Sequence, residues 1–366
     1  MELGGTNMMK LDTIIGNPPY QEFTGGGGYI PDSMPLYNEF MMHGMDVSNQ
    51  YVTFLVPSRW LAGGKSVLNY LRNRIVNDKH MKYMCNYERS VTIFPDLSIS
   101  GGIHYMLIDM KNVYEYTTVR TIGTYGEDIG KPVNIKLDKY NYLDNSNEQQ
   151  YMIITDPIFL GIISKINSKY NGYMVSDTML NVSPFGIEVN FIGNDTLTDK
   201  FNVKVRCSNG RETYISEDDI RKNREYINMY KVFTGKMNPD RGGARILSDD
   251  KRLVINKPQI AFPKEVVTHT HMVLYSSNRL ENCEKFKKYI ETKFARYLIY
   301  KTISGMHIIK KNYQFVPCIV EDAIGSKIDW SKSIEDIDKQ LYKLFDLNSI
   351  EIGAIENSIR YLSNRE

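Results

Sequence analysis

Nowhere in this sequence do cysteines stand close together. The four present, Cys85, Cys207, Cys283 and Cys318, are scattered and form no CxxC pair. That speaks against a zinc site and against a disulfide framework, and points to reduced thiols. Long apolar runs are missing too, none approaching the roughly 20 residues of a membrane-spanning helix. Met1-Glu2-Leu3-Gly4 opens no secretory signal. The chain is therefore expected in the cytoplasm, with no membrane partner. No convincing PD…(D/E)xK pattern is present, so nuclease chemistry of that kind is not expected.

What is there is the composition of a globular protein: 366 residues, 42% hydrophobic and 24% charged. The length allows two domains of ordinary size. The formal net charge of +2 hides a division. Residues 197–257 carry +5, residues 284–311 carry +6 and residues 321–366 carry −4. Basic charge concentrated in the middle of the C-terminal half suits a surface that meets phosphates. Ordinary solvated faces would produce the same count.

Thr13–Ile15 is a short apolar run ended by Gly16 and reads as a buried parallel strand. Residues 21–34 form a glycine-rich loop. Leu36, Phe40 and Met41 mark one face of a helix over residues 35–47. Tyr51–Pro57, Met81–Tyr87 and Gly102–Met110 read as strands, and Ser66–Val76 as a helix with Leu68, Leu71 and Ile75 on one stripe. This alternation predicts an α/β layer with a largely parallel sheet. Polar sequence over 138–150 reads as linker, and a helix is expected near Pro157–Asn167. Val203–Cys207 and Thr213–Ile215 flank Ser208-Asn209-Gly210-Arg211, a hairpin signal. Phe286–Lys301 reads as one amphipathic helix with a basic outer side. Lys339–Leu347 and Ile350–Leu362 read as a terminal helical pair. The expected domains are 1–125, a linker over 126–150, and an α+β part over 151–366.

The chemistry concentrates in LDTIIGNPPYQ, Leu11–Gln21. Two prolines at the end of a parallel strand remove backbone donors and stiffen the turn. Ligands of open α/β sheets bind beyond the carboxyl ends of their strands. A rigid turn there would point the side-chain carbonyl of Asn17 and a backbone carbonyl of Pro18-Pro19 into the crevice. Two acceptors held together suit an NH₂ group, and Tyr20 offers a face on which a flat ring can stack. An amine gripped in this way loses conjugation with its ring and can attack an electrophilic methyl group in line.

GNPPY resembles the catalytic motif of S-adenosylmethionine-dependent amino-methyltransferases, chiefly those acting on adenine in DNA. Protein-glutamine methyltransferases share the tetrapeptide, but the long basic C-terminal part has no evident use for a protein substrate. VPSRWLAGGK (Val56–Lys65) and FPDLSISGGIHYML (Phe94–Leu107) resemble the continuation in adenine-specific methylases of type II restriction–modification systems, including the fused restriction–methylation kind. VSPFGIEVNF (Val182–Phe191), YKVFTGK (Tyr230–Lys236), TKFARYLIYKT (Thr292–Thr302), YQFVP (Tyr313–Pro317) and DWSKSIEDIDKQLYKLFDL (Asp329–Leu347) resemble that family's target-recognition part.

The resemblance implies a partial Rossmann-like methyltransferase sheet followed by an α+β target-recognition domain. It implies that Asn17, Pro18, Pro19 and Tyr20 are catalytic, with Asn17 and Pro18 holding the adenine amino group. Tyr20 and Phe94 would sandwich a base flipped out of double-stranded DNA. Gly25–Gly28 could close over that pocket. Arg206, Arg211, Lys231, Lys236, Arg241 and Arg245 are the candidate phosphate contacts. Arg59 and Trp60 have no assigned role beyond packing. The cofactor implied is S-adenosylmethionine, yet no glycine-rich cofactor turn is found before or after NPPY. A second polypeptide supplying the cofactor motifs is the expectation, with a fragment of a longer gene product and a non-catalytic DNA-binding relic as the alternatives. No metal is expected. His269 and His271 have no further ligand at useful spacing and read as neighbours on one strand face. Ala62–Ser66 resembles the end of a phosphate-binding loop, but its first required glycine would fall at Arg59.

Overall fold

The apolar run before Asn17 forms strand β1 (Leu11–Gly16), which hydrogen-bonds β4 (Ser48–Pro57) in parallel. Between them stand a small antiparallel pair, β2 (Gln21–Glu22) and β3 (Met34–Pro35), and helix α1 (Tyr37–Val47). In this computed structural model the described residues are 10–22, 34–63, 67–96, 99, 101–123, 126–143, 149–208, 210–240 and 251–362. The chain divides into two compact units, residues 1–142 with 149–157, and the remainder.

After β4 the first unit continues through α2 (Arg59–Ala62), α3 (Val67–Asp78), β5 (Met81–Tyr87), β6 (Ile103–Asp109), β7 (Thr117–Ile122) and β8 (Val133–Ile135). The six strands order as β1-β4-β6-β5-β7-β8. β1/β4 and β5/β7 are parallel, whereas β4/β6, β5/β6 and β7/β8 are antiparallel. The expected largely parallel sheet is thus mixed. The connection after β5 turns straight back instead of crossing over, and so inserts β6 between β4 and β5.

One face of this sheet is sealed and the other is not. A crossover between parallel strands is right-handed, and α1 packs on β4 with α3 beside it. Gly44 of α1 lies on the Phe54 ring, close enough that a Cβ there would meet it at 3.0 Å. Beneath, Val52, Phe54, Val56, Met84, Met106 and Ile108 are buried. On the opposite face Thr53, Leu55, Tyr83, Tyr87, Tyr105 and Leu107 are only half-buried.

β1 is not the buried strand its apolar residues suggest. It stands at the flank of the sheet, bonded only to β4 among the described residues, with Leu11 40% and Ile15 78% exposed. Phe40, expected on the inner face of α1, is also exposed; Tyr37, Met41 and Met45 take that face. Nor is 126–150 a plain linker. It holds β8, then β9 (Lys139–Leu143) and the start of β10 (Gln149–Ile153), which pair with each other. Lys139 bonds Asn73 of α3, and the Tyr151 amide bonds Asn69. Polar composition hid strands whose partners lie far away in sequence.

The second unit begins with α4 (Pro157–Lys169) and α5 (Val175–Thr178). The expected hairpin is present as β11 (Val203–Arg206) and β12 (Glu212–Ile215). β15 (Glu265–Val267) extends it in parallel on the far side of β11. β13 (Tyr230–Gly235) lies between β14 (Gln259–Ala261) and β16 (His271–Ser277). Phe185, Val203, Val205, Ile227, Phe233, Val266 and Val273 make one core for both three-stranded sheets.

The single helix expected over 286–301 is two, α6 (Leu280–Glu291) and α7 (Lys293–Tyr300). Thr292 breaks it with extended backbone, and its hydroxyl accepts from the Ala295 amide. The buried first-turn amides of Lys293 and Phe294 donate to Asp338, each at 2.9 Å. A helix start satisfied twice over is a stable place to interrupt. The basic outer side is also lost in α7. Lys293 is buried against Glu356, and Arg296 is buried donating to Glu291 and Leu253 carbonyls. Asp338 lies on α8 (Ile334–Leu344), followed by α9 (Ser349–Ser358).

Candidate active site

β1, β4 and β5 run in the same direction, so their carboxyl ends share one end of the sheet. Asn17 follows β1 there, Ser58 follows β4, and the 88–102 connection carrying Phe94 follows β5. With strands about 4.8 Å apart, three steps separate the β1 and β5 ends by roughly 14 Å. The placement meets the rule that α/β sheets bind ligands beyond their carboxyl ends.

The turn after β1 is shaped by close packing. A Cβ on Gly16 would meet the Phe54 ring at 3.0 Å, so the strand ends against β4 only because that residue is glycine. Asn17 and Pro19 are exposed and Pro18 is buried, anchoring the turn while leaving the asparagine outward. The Leu36 amide donates to the Tyr20 carbonyl at 3.2 Å, tying the motif to the start of α1. Among the described residues no backbone group donates to the carbonyls of Asn17, Pro18 or Pro19. Tyr20 is half-buried and its hydroxyl has no bond of full geometry. Burial raises its pKa, opposed by the nearby Asn17 side chain.

A buried polar frame holds the neighbouring turn after β4. The Trp60 indole N–H donates to His104 Nε2 at 3.1 Å, and His104 Nδ1 lies 3.0 Å from Ser58 Oγ. An indole can only donate, so Nε2 is the acceptor and the imidazole proton sits on Nδ1, directed at Ser58. Complete burial pushes the His104 pKa down to about 3. The imidazole is neutral and structural. Arg72, fully buried, donates to the carbonyls of Trp60 and Gly63 and to Asn69 Oδ1. Ser58, Arg72 and His104 were not singled out from sequence. The signal available was that Ser58 and His104 stand inside VPSRW and GGIHYML.

Phe94 is half-buried, with its amide donating to the Ser90 carbonyl at 2.8 Å. Buried Ser90 also accepts from the Ile99 amide through its hydroxyl, which closes the loop. Arg59 is exposed beside this frame.

The predicted phosphate contacts fare differently. Lys231 is buried, and its ammonium donates to the carbonyls of Tyr226, Ile227 and Met229 at 2.9, 3.2 and 2.6 Å. It is a structural lysine, its pKa lowered to about 8 by burial. Arg206 is paired with Glu212 and Glu265, and Arg211 donates to the Phe191 and Ile192 carbonyls. Arg206 is neutralised by Glu212 and Glu265 on the neighbouring strands β12 and β15, and exposed Arg211 reaches carbonyls from a distant stretch of chain, which no local sequence window shows. Lys236 is half-buried, its pKa lowered by burial and opposed by Glu188. Arg241, Arg245 and Gly25–Gly28 lie outside the described residues. His269 and His271 do not share a strand face either: His269 is in the turn before β16, 3.7 Å from Glu188, and His271 opens the strand. No group of three metal-ligating side chains stands together among the described residues.

Residues 3–94, spanning the NPPY turn and the Phe94 loop, match the model of the Eco57I restriction-modification methylase family. In this segment the chain is similar to restriction–modification methylases. A relative from Mycoplasma pneumoniae, described as an uncharacterized adenine-specific methylase, is 29% identical over 162 residues. That match covers 44% of this chain and 37% of the relative, so the chain spans well under half of its relative's length. Among solved structures, the type IIL restriction-modification enzyme MmeI in complex with DNA matches over 94% of the chain and 56% of its own. Its identity is 9% and the TM-score 0.47. A modification subunit of a putative type I restriction enzyme from Vibrio vulnificus YJ016 matches over 39% of the chain and 37% of its own. Its identity is 10% and the TM-score 0.28. No described helix of the chain is long and apolar enough to cross a membrane.

Proposed function

We propose that this chain is the catalytic and target-recognition part of a site-specific DNA N6-adenine methyltransferase. The observation that carries the reading is the outward Asn17 at the carboxyl end of β1, with the Pro18 carbonyl free of backbone partners beside it. Those two acceptors would take the two hydrogens of an adenine amino group. Tyr20 would stack on the flipped base, and Phe94, opening at the same end of the sheet, would close the other side. The DNA is double-stranded and the second unit would read its sequence. The setting proposed is the cytoplasm.

Methyltransferases of this family use S-adenosylmethionine. The described residues do not fit that cofactor by themselves. Among the described residues, no strand end at the NPPY end of the sheet presents a glycine-rich turn leading directly into a helix. β1's flank is open among the described residues, and the sheet face away from α1 is half-exposed. An open flank and an uncovered face are what a missing layer would leave. We infer that further strands and helices complete the sheet at β1 and carry the cofactor, on a second polypeptide or on further length of the same one.

The test is transfer of a labelled methyl group to DNA by the chain alone and with the polypeptide encoded beside it. Asn17→Ala should abolish transfer by the complemented enzyme and leave DNA affinity nearly unchanged. Full activity of that variant would overturn the reading. DNA binding without transfer in either case would leave only a binding protein.

A further inference from the structure

The charges expected to meet DNA are largely engaged within the second unit, and the first unit offers a different pair. It has five arginines. Arg72 is buried on backbone carbonyls, Arg74 pairs with Asp46 and Asp78, and Arg120 pairs with Asp128. Arg59 and Arg89 make no ion pair or side-chain hydrogen bond to any described residue, Arg59 exposed and Arg89 half-exposed. Both stand at the end of the sheet where NPPY opens: Arg59 follows β4, and Arg89 opens the 88–102 loop after β5. β4 and β5 are two strand steps apart, so the arginines spring from points about 10 Å apart. A single DNA strand carries a phosphate every 3.4 Å of axis or so, and about three phosphate-to-phosphate steps cover that distance.

Their backbones are held still. The Ser58–Gly63 turn is fixed by His104 and by the Arg72 guanidinium. The loop after Arg89 is fixed by Ser90, which is 2% exposed. Two long cations on rigid turns, without carboxylate partners, flank the place where a nucleotide must be held. Glu88 and Asp96 are the acidic residues of the same loop, and neither pairs with Arg59 or Arg89.

We propose that Arg59 and Arg89 bind the phosphodiester backbone beside the extruded nucleotide and hold the strand in register with Asn17. This rests on the DNA-methyltransferase reading above. It adds a function for Arg59, for which packing was the expectation. Guanidinium groups suit phosphate because their fork can donate two parallel hydrogen bonds. The recognition is of backbone and not of sequence.

The experiment measures affinity of the full chain for a mixed-sequence duplex across a range of salt concentrations. Arg59→Gln and Arg89→Gln should each reduce the slope of log K against log salt by about 0.9, and together by about twice that. At ~0.1 M salt each should weaken binding roughly eightfold. Arg59→Lys should recover most of the slope. Arg74→Gln removes the same charge from the same unit but away from this end, and should leave the slope unchanged. Unaltered slopes in both single variants and in the double variant would overturn the proposal while leaving the methyltransferase reading intact. No DNA binding by the unmodified chain would overturn both. Lost slope in the arginine variants, with transfer unaffected by Asn17→Ala, would keep this contact and sink the amino-group grip.

Discussion

His104 shows how much a single side chain can hold without touching substrate. Its two ring nitrogens are used by Trp60 and Ser58, and burial leaves it neutral with a pKa of about 3. The unfolded chain returns it to the ordinary value of about 6.5. Between those values the unfolded state binds more protons than the folded one, so stability rises with pH across that window. Its contribution is complete above about pH 6.5 and is lost as pH falls toward 3, several kcal/mol in all. Denaturant titrations from pH 7 down to pH 4 should show this loss, and His104→Gln should flatten it. An unchanged pH profile in the variant would contradict the assignment. The same residue marks a limit of sequence reading. GNPPY was legible because its groups are consecutive, whereas His104 meets Ser58 from 46 residues away.

At the scale of elements, the start of β6 ties three strand ends together. Gly102 has φ +76°, and a Cβ on it would collide with the Tyr87 carbonyl oxygen. Its own carbonyl accepts from the Ser58 amide at 3.0 Å. Gly102→Ala combines left-handed strain with a clash against backbone, and should cost about 2–4 kcal/mol. A thermal melt would check this, and a loss below about 1 kcal/mol would show the turn to be pliable. α3 and the β11–β12 hairpin were legible because periodicity and turn chemistry are local. The break at Thr292 was not, since the Asp338 that caps α7 comes from α8. β1 misled for a related reason: an apolar strand looks the same in sequence whether or not its flank is covered. Hydrogen exchange should find Leu11–Gly16 amides opening well before those of Ile103–Asp109, with protection rising when the completing strands are added. Equal protection in the isolated chain would argue that β1 is already paired.

For the whole molecule the two units carry separate tasks in the proposed enzyme. The first presents the NPPY turn on a sheet sealed on one face, and the second holds two small sheets over a common core. If completion occurs along β1, a charge placed on its exposed apolar face should block it without harming the chain itself. Ile15→Glu, at a residue 78% exposed, should leave the melting temperature within a degree or two while abolishing complemented methyl transfer. Transfer undiminished in that variant would show that completion uses another surface. The sequence by itself determined the α/β alternation, the NPPY turn at a strand's end and the resemblance to restriction–modification methylases, because those rest on neighbouring residues and local period. The tertiary structure alone decided, among the described residues, which strand stands at the flank, which face is left open, and which cations lack an ion-pair partner. Pairing, burial and charge neutralisation depend on partners brought from tens of residues away.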